Sequence, residues 1–484
     1  MTNVRHFDPV LIVITMAIIG VLLVMAYQLL SIISMVAIGL GSAVVVYQIM
    51  TLQGRFTSRF RYGKKIPSFF LIFLITAPIA LGVAAGFDNY SLQESIVKAI
   101  LLWGLTLTFW NTLLFVPLAL YGKYKENTIS EPNSYPRLTV IVPAYNEEKV
   151  IERTIQALVE TKYPDKEIIA VDDGSKDKTF QIMNKYNKQI KALHKENGGK
   201  ASAINFGLAY ATGEIIVVVD ADTIIGMDSL THLAKGFSMN KDVAAVAGNI
   251  KVRNRKNWLT FCQAIEYVAG IQIARRALDV FGSISVVPGA LGAFKRTVLE
   301  EIGNYHKDTL VEDFDVTLKI LKTNLTISGS TKAVAFTEAP ENIKNLYKQR
   351  KRWYGGNLQV FSRHSDALLN PRFGLLQRLV FPYMVFSSVV MPFVGFITLG
   401  TAAYTAIFGG GIFVLEVFAI FSVLQILQAA LAVRMDNEDP KLILYGVFLV
   451  LGFKQILDFL LIRAVFEQLF RKKMTWTSVD RVGI

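Results

Sequence analysis

Three pairs of carboxylates carry the chemistry that this chain advertises: Asp172-Asp173, Asp220 with Asp222, and Glu312-Asp313. The middle pair follows the apolar run Ile215-Ile216-Val217-Val218-Val219, which predicts two acids where a strand leaves its sheet. Alternate residues of an extended chain face the same way. Two hard oxygen ligands that close suit Mg2+ or Mn2+ bridging a diphosphate, so Asp220 and Asp222 are the candidate metal ligands. A solvated strand-end turn leaves the same letters, and the pattern alone does not separate the two.

Val171-Asp172-Asp173-Gly174-Ser175 repeats the arrangement one strand earlier. An Asp there can accept a hydrogen bond from an imide N–H, which selects a uracil-like base, although Asp-Gly-Ser is also an ordinary loop. Tyr145 and Glu147, after the first β-branched run, offer an aromatic face and a polar tip to the same nucleoside. Asn197-Gly198-Gly199-Lys200 puts backbone N–H groups and a cation at a helix start, where phosphate oxygens bind. No Ser or Thr directly follows Lys200 and the glycine spacing is wrong for a Walker A loop, so an ATPase reading is poor.

Glu312-Asp313 precedes the amphipathic run Val316, Leu318, Ile320, Leu321. Acids favour a helix N-terminus in any case; the functional alternative makes Asp313 a general base for an acceptor hydroxyl, with Glu312 supporting it. Gln349-Arg350-Lys351-Arg352-Trp353 lies in a basic, aromatic segment from Asn342 to His364. Such a segment suits a membrane interface, and it also offers an arginine for a departing diphosphate and an indole on which a sugar can stack.

Short β-branched runs at Leu138 to Val142, Glu167 to Val171, Glu214 to Val219 and Val243 to Val246 alternate with helical patterns. Strands spaced by helices predict a parallel βαβ sheet with helices on both faces, a nucleotide-binding architecture. The rest of the chain is apolar. A hydrophobic content of 52% over 484 residues is too high for a soluble protein of this size, so much of that surface is expected to face lipid.

Residues 9 to 50 are about two bilayer crossings long, turning near Tyr27 and Gln28. Arg55, Arg59, Arg61, Lys64 and Lys65 form a basic loop, whereas the connector around Asp88 and Glu94 has no cation before Lys98. With further spans near 66 to 86 and 97 to 121, the positive-inside rule returns the chain to the cytoplasm at Lys123. The polar island is then cytoplasmic, with no cleavable signal peptide ahead of it. Three further spans are expected near 383 to 407, 412 to 433 and 442 to 466, with residues 373 to 380 a candidate interfacial helix. An odd number would place Arg471-Lys472-Lys473 outside, against the same rule, so one segment is expected to be interfacial or re-entrant.

The expected plan is therefore a membrane region over 1–126 with about four spans, an α/β domain over 127–340, an interfacial segment over 341–382, and a second membrane region over 383–484. About seven spans in all make a multi-pass plasma-membrane protein. The charge of +13 gathers beside apolar spans and late in the island, which points to anionic headgroups and a phosphate-bearing substrate rather than nucleic acid. Cys262, the single cysteine, cannot form an intramolecular disulfide.

Taken in order, these residues resemble the membrane-embedded family 2 glycosyltransferases of the GT-A fold, the group of cellulose, chitin, hyaluronan and poly-N-acetylglucosamine synthases. The resemblance runs from Leu138 to Trp353 and into the flanking spans. It implies a UDP-sugar site at Tyr145, Glu147, Asp172, Asp173, Lys200, Asp220, Gln349, Arg352 and Trp353. It also implies a metal on Asp220 and Asp222, catalysis by Asp313 and Glu312, and acceptor binding at Pro288, Gly289 and Trp353. Val311 departs from the Thr that many members carry before the Glu-Asp pair, four N-terminal spans exceed those of several relatives, and no cyclic-di-GMP-binding domain is evident. The tail Trp476 to Arg481 is similar to that of the poly-N-acetylglucosamine branch.

The implied activity is inverting transfer of a hexose or N-acetylhexosamine from a UDP-sugar to a growing β-linked polysaccharide, coupled to its export. The alternative is a glycolipid synthase with a diacylglycerol or polyprenyl-phosphate acceptor. A transporter with a degenerate cytosolic domain is disfavoured by intact acids at every implied position.

Overall fold

A computed structural model describes residues 8–29, 111–112, 115–127 and 134–470. Of the two spans expected within 9–50, the described helix Pro9–Leu29 runs through the expected turn at Tyr27 and Gln28. The rest of that stretch, the expected spans at 66–86 and most of 97–121, the basic loop at 55–65, the Arg471-Lys472-Lys473 cluster and the 476–481 tail lie outside the described residues. Two compact units are present.

One unit is the α/β domain. Its described sheet has eight strands: β1 (Leu138–Ala144), β2 (Lys166–Asp172), β3 (Lys191–His194), β4 (Ile215–Val218), β5 (Ile224–Ile225), β6 (Val243–Val252), β7 (Gly292–Lys295) and β8 (Thr326–Thr337). Their order is β3-β2-β1-β4-β7-β6-β8-β5. β1, β4 and β6 are buried throughout, as strands covered on both faces must be.

The expectation of a parallel sheet holds for β3, β2, β1 and β4 and again for the β6–β8 pair, and fails at β7 and β5. β7 enters between β4 and β6 antiparallel to both, so the sheet is mixed. The physical reason lies in the connection: β7 is supplied from after the long helical stretch Trp258–Asp279 rather than from a simple crossover. Its Gly292-Ala293-Phe294 is short enough to read as loop in sequence. The consequence is that Pro288 and Gly289, just before β7, arrive beside the end of β4 that leads to Asp220.

The other unit is helical and apolar. Leu376–Phe408 and Gly411–Asp436, with mean hydropathies of 1.9 and 2.1, are long and apolar enough to cross a membrane. They correspond to the expected spans at 383–407 and 412–433. Leu376–Val380, expected as part of an interfacial helix, belongs to the first of these runs. That run contains π-helical turns at Leu376–Val380 and Phe386–Val390, each followed within two residues by a proline, Pro382 or Pro392. A proline lacks the N–H and crowds the carbonyl four residues earlier, and a wider turn relieves both problems.

The third expected span is not one straight helix. Pro440–Leu449 and Phe453–Glu467 meet at 52°. The first ends when the N–H groups of Val450 and Leu451 both turn back to the Val447 carbonyl. The second starts with the Gly452 N–H donating to Gln455 Oε1 at 2.6 Å. Polar side chains join the apolar helices, as Gln428 Nε2 donates to Thr112 Oγ1 at 2.6 Å and Arg434 meets Asp8 at 2.7 Å.

Candidate active site

The loops that leave β1 and β2 are zipped together. Asn146 N–H donates to Ser175 Oγ at 2.9 Å, Lys176 N–H to Asn146 Oδ1 at 2.8 Å, and Glu147 N–H to Thr179 Oγ1 at 2.8 Å. Tyr145 and Glu147 are thereby held beside Asp172 and Asp173. The two acids of that pair have different partners. Asp172 is fully buried and its Oδ2 lies 2.6 Å from Nδ1 of His194, its register partner on β3. Asp173 accepts from the N–H groups of Gly198, at 3.1 Å, and Gly199, at 2.7 Å, and from Lys195 Nζ at 2.7 Å.

The Asn197-Gly198-Gly199 amides were expected to face phosphate oxygens; the structure turns two of them onto the Asp173 carboxylate instead. A buried carboxylate needs several donors, and these are the nearest. Neither His194 nor Lys195 was singled out in the sequence, because their pairing depends on β3 lying beside β2.

Asp220, Ala221 and Asp222 do not continue as extended chain. The Thr223 N–H closes a turn onto the Asp220 carbonyl at 3.0 Å, and Thr154 Oγ1 holds the Ala221 carbonyl at 2.8 Å. Asp222 is buried at 5% exposure, and the Asp220 side chain is 32% exposed. Among the described residues no third His, Cys, Asp or Glu joins them in a metal cage.

Lys200 opens the helix Lys200–Leu208, and its ammonium lies 2.7 Å from Asp220 Oδ1 and 2.7 Å from Glu312 Oε1. Burial opposes its charge, but Asp220, Glu312 and Asp313 outweigh burial and raise its pKa. Glu312 and Asp313 form the first turn of the helix Glu312–Lys322, where unpaired N–H groups favour negative charge. Asp313 Oδ1 accepts from Phe314 N–H at 2.8 Å and Oδ2 from Gly289 N–H at 3.1 Å. Burial and the Glu312 charge nonetheless push its pKa up to about 6, against the pull of Lys200 and these two amides.

A side chain at Gly289 would press on the ammonium of Lys200. A Cβ there would sit 2.7 Å from Lys200 Nζ and 3.6 Å from both Glu312 Oε1 and Asp313 Oδ2. The structure thus brings Lys200, Asp220, Gly289, Glu312 and Asp313 together, with Pro288 alongside. Tyr305 was missed in the sequence. It is 4% exposed, its backbone is clamped by Asn205 at 2.8 and 3.1 Å, and burial together with Glu312, Asp313 and Asp220 holds its phenol well above the ordinary range.

Val311, in the place of the more usual Thr, is the N-cap residue and makes no side-chain cap. It serves packing instead. The helix Ile343–Arg363 crosses it at Gly356, where a Cβ would come within 2.8 Å of both Val311 methyl groups. Trp353 lies one turn earlier on that helix and is partly exposed, as is Arg352. Gln349 is 8% exposed, and its Oε1 has no hydrogen-bond partner among the described residues. Further along, Arg363 and His364 reach Asp315 at 3.4 and 3.0 Å, tying this helix to the one that carries Asp313.

Residues 139–303 match the glycosyl transferase family 2 model. The chain carries a family 2 glycosyltransferase domain. It is 28% identical over 371 residues to the poly-beta-1,6-N-acetyl-D-glucosamine synthase of Staphylococcus epidermidis, covering 73% of this chain and 90% of that one. The synthase of the same name from Staphylococcus aureus strain COL is 28% identical over 312 residues, covering 60% of this chain and 75% of the other. In fold, the glycosyltransferase resembles the mannosyltransferase PcManGT of Pyrobaculum calidifontis, solved with GDP-Man and Mn2+. The TM-score is 0.52 at 22% identity, covering 78% of this chain and all of that one. The match to the family 2 model reaches the first two carboxylate pairs and Gly289 and stops before Glu312.

Proposed function

We propose that this glycosyltransferase is a membrane-embedded, inverting enzyme that moves an N-acetylhexosamine or hexose from a UDP-sugar onto a growing β-linked polysaccharide. The catalytic domain faces the cytoplasm, and the same chain carries the polymer across the membrane. The observation that carries the reading is the meeting of Lys200, Asp220, Glu312 and Asp313 under Gly289. It joins a cation suited to diphosphate, a candidate metal carboxylate and a carboxylate of raised pKa within one cluster.

Asp313 is the general base. A carboxylate titrating at about 6 is ionised at neutral pH yet basic enough to take a proton from an acceptor hydroxyl. Glu312 keeps Lys200 in place and raises the basicity of Asp313. Lys200 and Arg352 meet the diphosphate, where fixed positive charge offsets the negative charge that grows on the leaving group. Tyr145, Glu147 and the Asp172-Asp173 edge form the nucleoside end. Gln349 offers a buried acceptor to a donor group of the sugar nucleotide, and Trp353 with Pro288 and Gly289 receives the acceptor.

Asp220 and Asp222 fit a divalent cation, Mg2+ or Mn2+, shared with the substrate. Among the described residues no third His, Cys, Asp or Glu joins these two carboxylates, so such an ion would leave the rest of its shell to phosphate oxygens and water. When bound, the ion supplies Lewis-acid neutralisation of the diphosphate.

The purified protein in lipid, supplied with a panel of UDP-sugars and either Mg2+ or Mn2+, tests the reading when UDP release and product size are followed together. A long β-linked polymer from one UDP-sugar is the expected result. A single discrete glycolipid would replace it with the one-sugar transfer, and no UDP release from any donor would overturn it.

A further inference from the structure

The second residue of the Gln349-to-Trp353 segment, Arg350, is 3% exposed. A guanidinium buried to that degree needs a partner, and it has one: Nη1 donates to Glu266 Oε1 at 3.0 Å and Nη2 to Glu266 Oε2 at 2.7 Å. A two-pronged bond fixes the plane of the guanidinium as well as its position. The same guanidinium lies over the indole of Trp353, 4.5 Å from the ring centroid. Residues three apart on a helix share a face, so Arg350 covers one side of the Trp353 ring as a consequence of their spacing. Glu266 itself opens a π-helical turn, Glu266–Ile271, between two α-helical stretches. Such turns are rare, occur mostly as single turns inside α-helices, and are frequent at functional sites.

We propose that Glu266 is a positioning residue: by gripping Arg350 it holds the indole of Trp353 in the attitude in which the end of the growing chain is received. The proposal rests on the reading of Trp353 as the acceptor platform. Glu266 touches no reacting group, and its effect runs through two side chains.

Two variants of the full chain in lipid nanodiscs test it. Glu266→Gln keeps the shape of the pair and removes its negative member, leaving the Arg350 cation uncompensated. Glu266→Gln/Arg350→Met removes both buried charges, which protects folding where a single loss leaves an uncompensated ion. Both are expected to keep the donor KM within about twofold of the parent while mean product length falls at least about threefold, the scale of one lost cation–π contact. In a background with Trp103, Trp110, Trp258 and Trp476 changed to Phe, acrylamide is expected to quench the remaining Trp353 more strongly in both variants.

Parental product lengths and parental quenching in both variants would overturn the proposal. So would a loss of donor KM and product length together in proportion to the folded fraction, which marks a purely structural staple. If the parent makes only a one-sugar product, the platform reading falls, and the quenching result still decides whether Glu266 holds Trp353.

Discussion

The ammonium of Lys200 sits 2.7 Å from Oδ1 of Asp220. One cation therefore reaches from the candidate metal carboxylates to the helix of the general base, and changes at either end are felt at the other. Changing Lys200 to Met removes the charge that lowers the pKa of Asp313. The acid limb of the pH profile of kcat/KM is expected to move upward from about 6, with a rate loss on the order of a hundredfold at neutral pH. A limb that stays in place would show that Lys200 does not couple to the base.

Asp313→Asn removes the base and leaves the amides of Gly289 and Phe314 an acceptor. Turnover is expected to fall by about 10²–10⁴ with donor affinity kept, as measured by transfer rates beside UDP-sugar binding. The substitution also has a stability signature. The folded pKa of Asp313 is raised, so its contribution is fully present below the unfolded value near 4 and is lost as pH rises through about 6. Thermal midpoints of the parent should lose this increment between those pH values, and the Asn variant should not.

Gly289→Ala places a methyl group 2.7 Å from Lys200 Nζ, the far end of a flexible side chain. The lysine can move aside, so the protein should fold with a midpoint close to that of the parent. Activity should nonetheless drop by about tenfold or more, because the ammonium leaves its two carboxylates. Equal losses of stability and activity would argue that the loop, and not the lysine, is what the glycine serves.

Asp222→Asn tests the metal reading apart from turnover. UDP binding by the parent should tighten on addition of Mg2+ or Mn2+ and loosen with a chelator, and the variant should lose most of that dependence, about tenfold in apparent affinity. Cation-independent binding by the parent would remove Asp220 and Asp222 from a metal role.

The residue types and their order already specified much of this protein. The apolar runs at 383–407 and 412–433, the strands before Asp172 and Asp220, and the three carboxylate pairs are local patterns, legible because period and composition act over a few residues. What each carboxylate faces was decided by the tertiary structure. His194 took Asp172 because β3 pairs with β2, and the glycine amides at 198 and 199 turned to Asp173 because a buried carboxylate collects its nearest donors. The antiparallel entry of β7 put Gly289 over Lys200, and the close crossing at Gly356 brought the helix of Trp353 against Val311. Such contacts join residues far apart along the chain. No local periodicity encodes them, and they follow only from how a sheet and its helices close-pack.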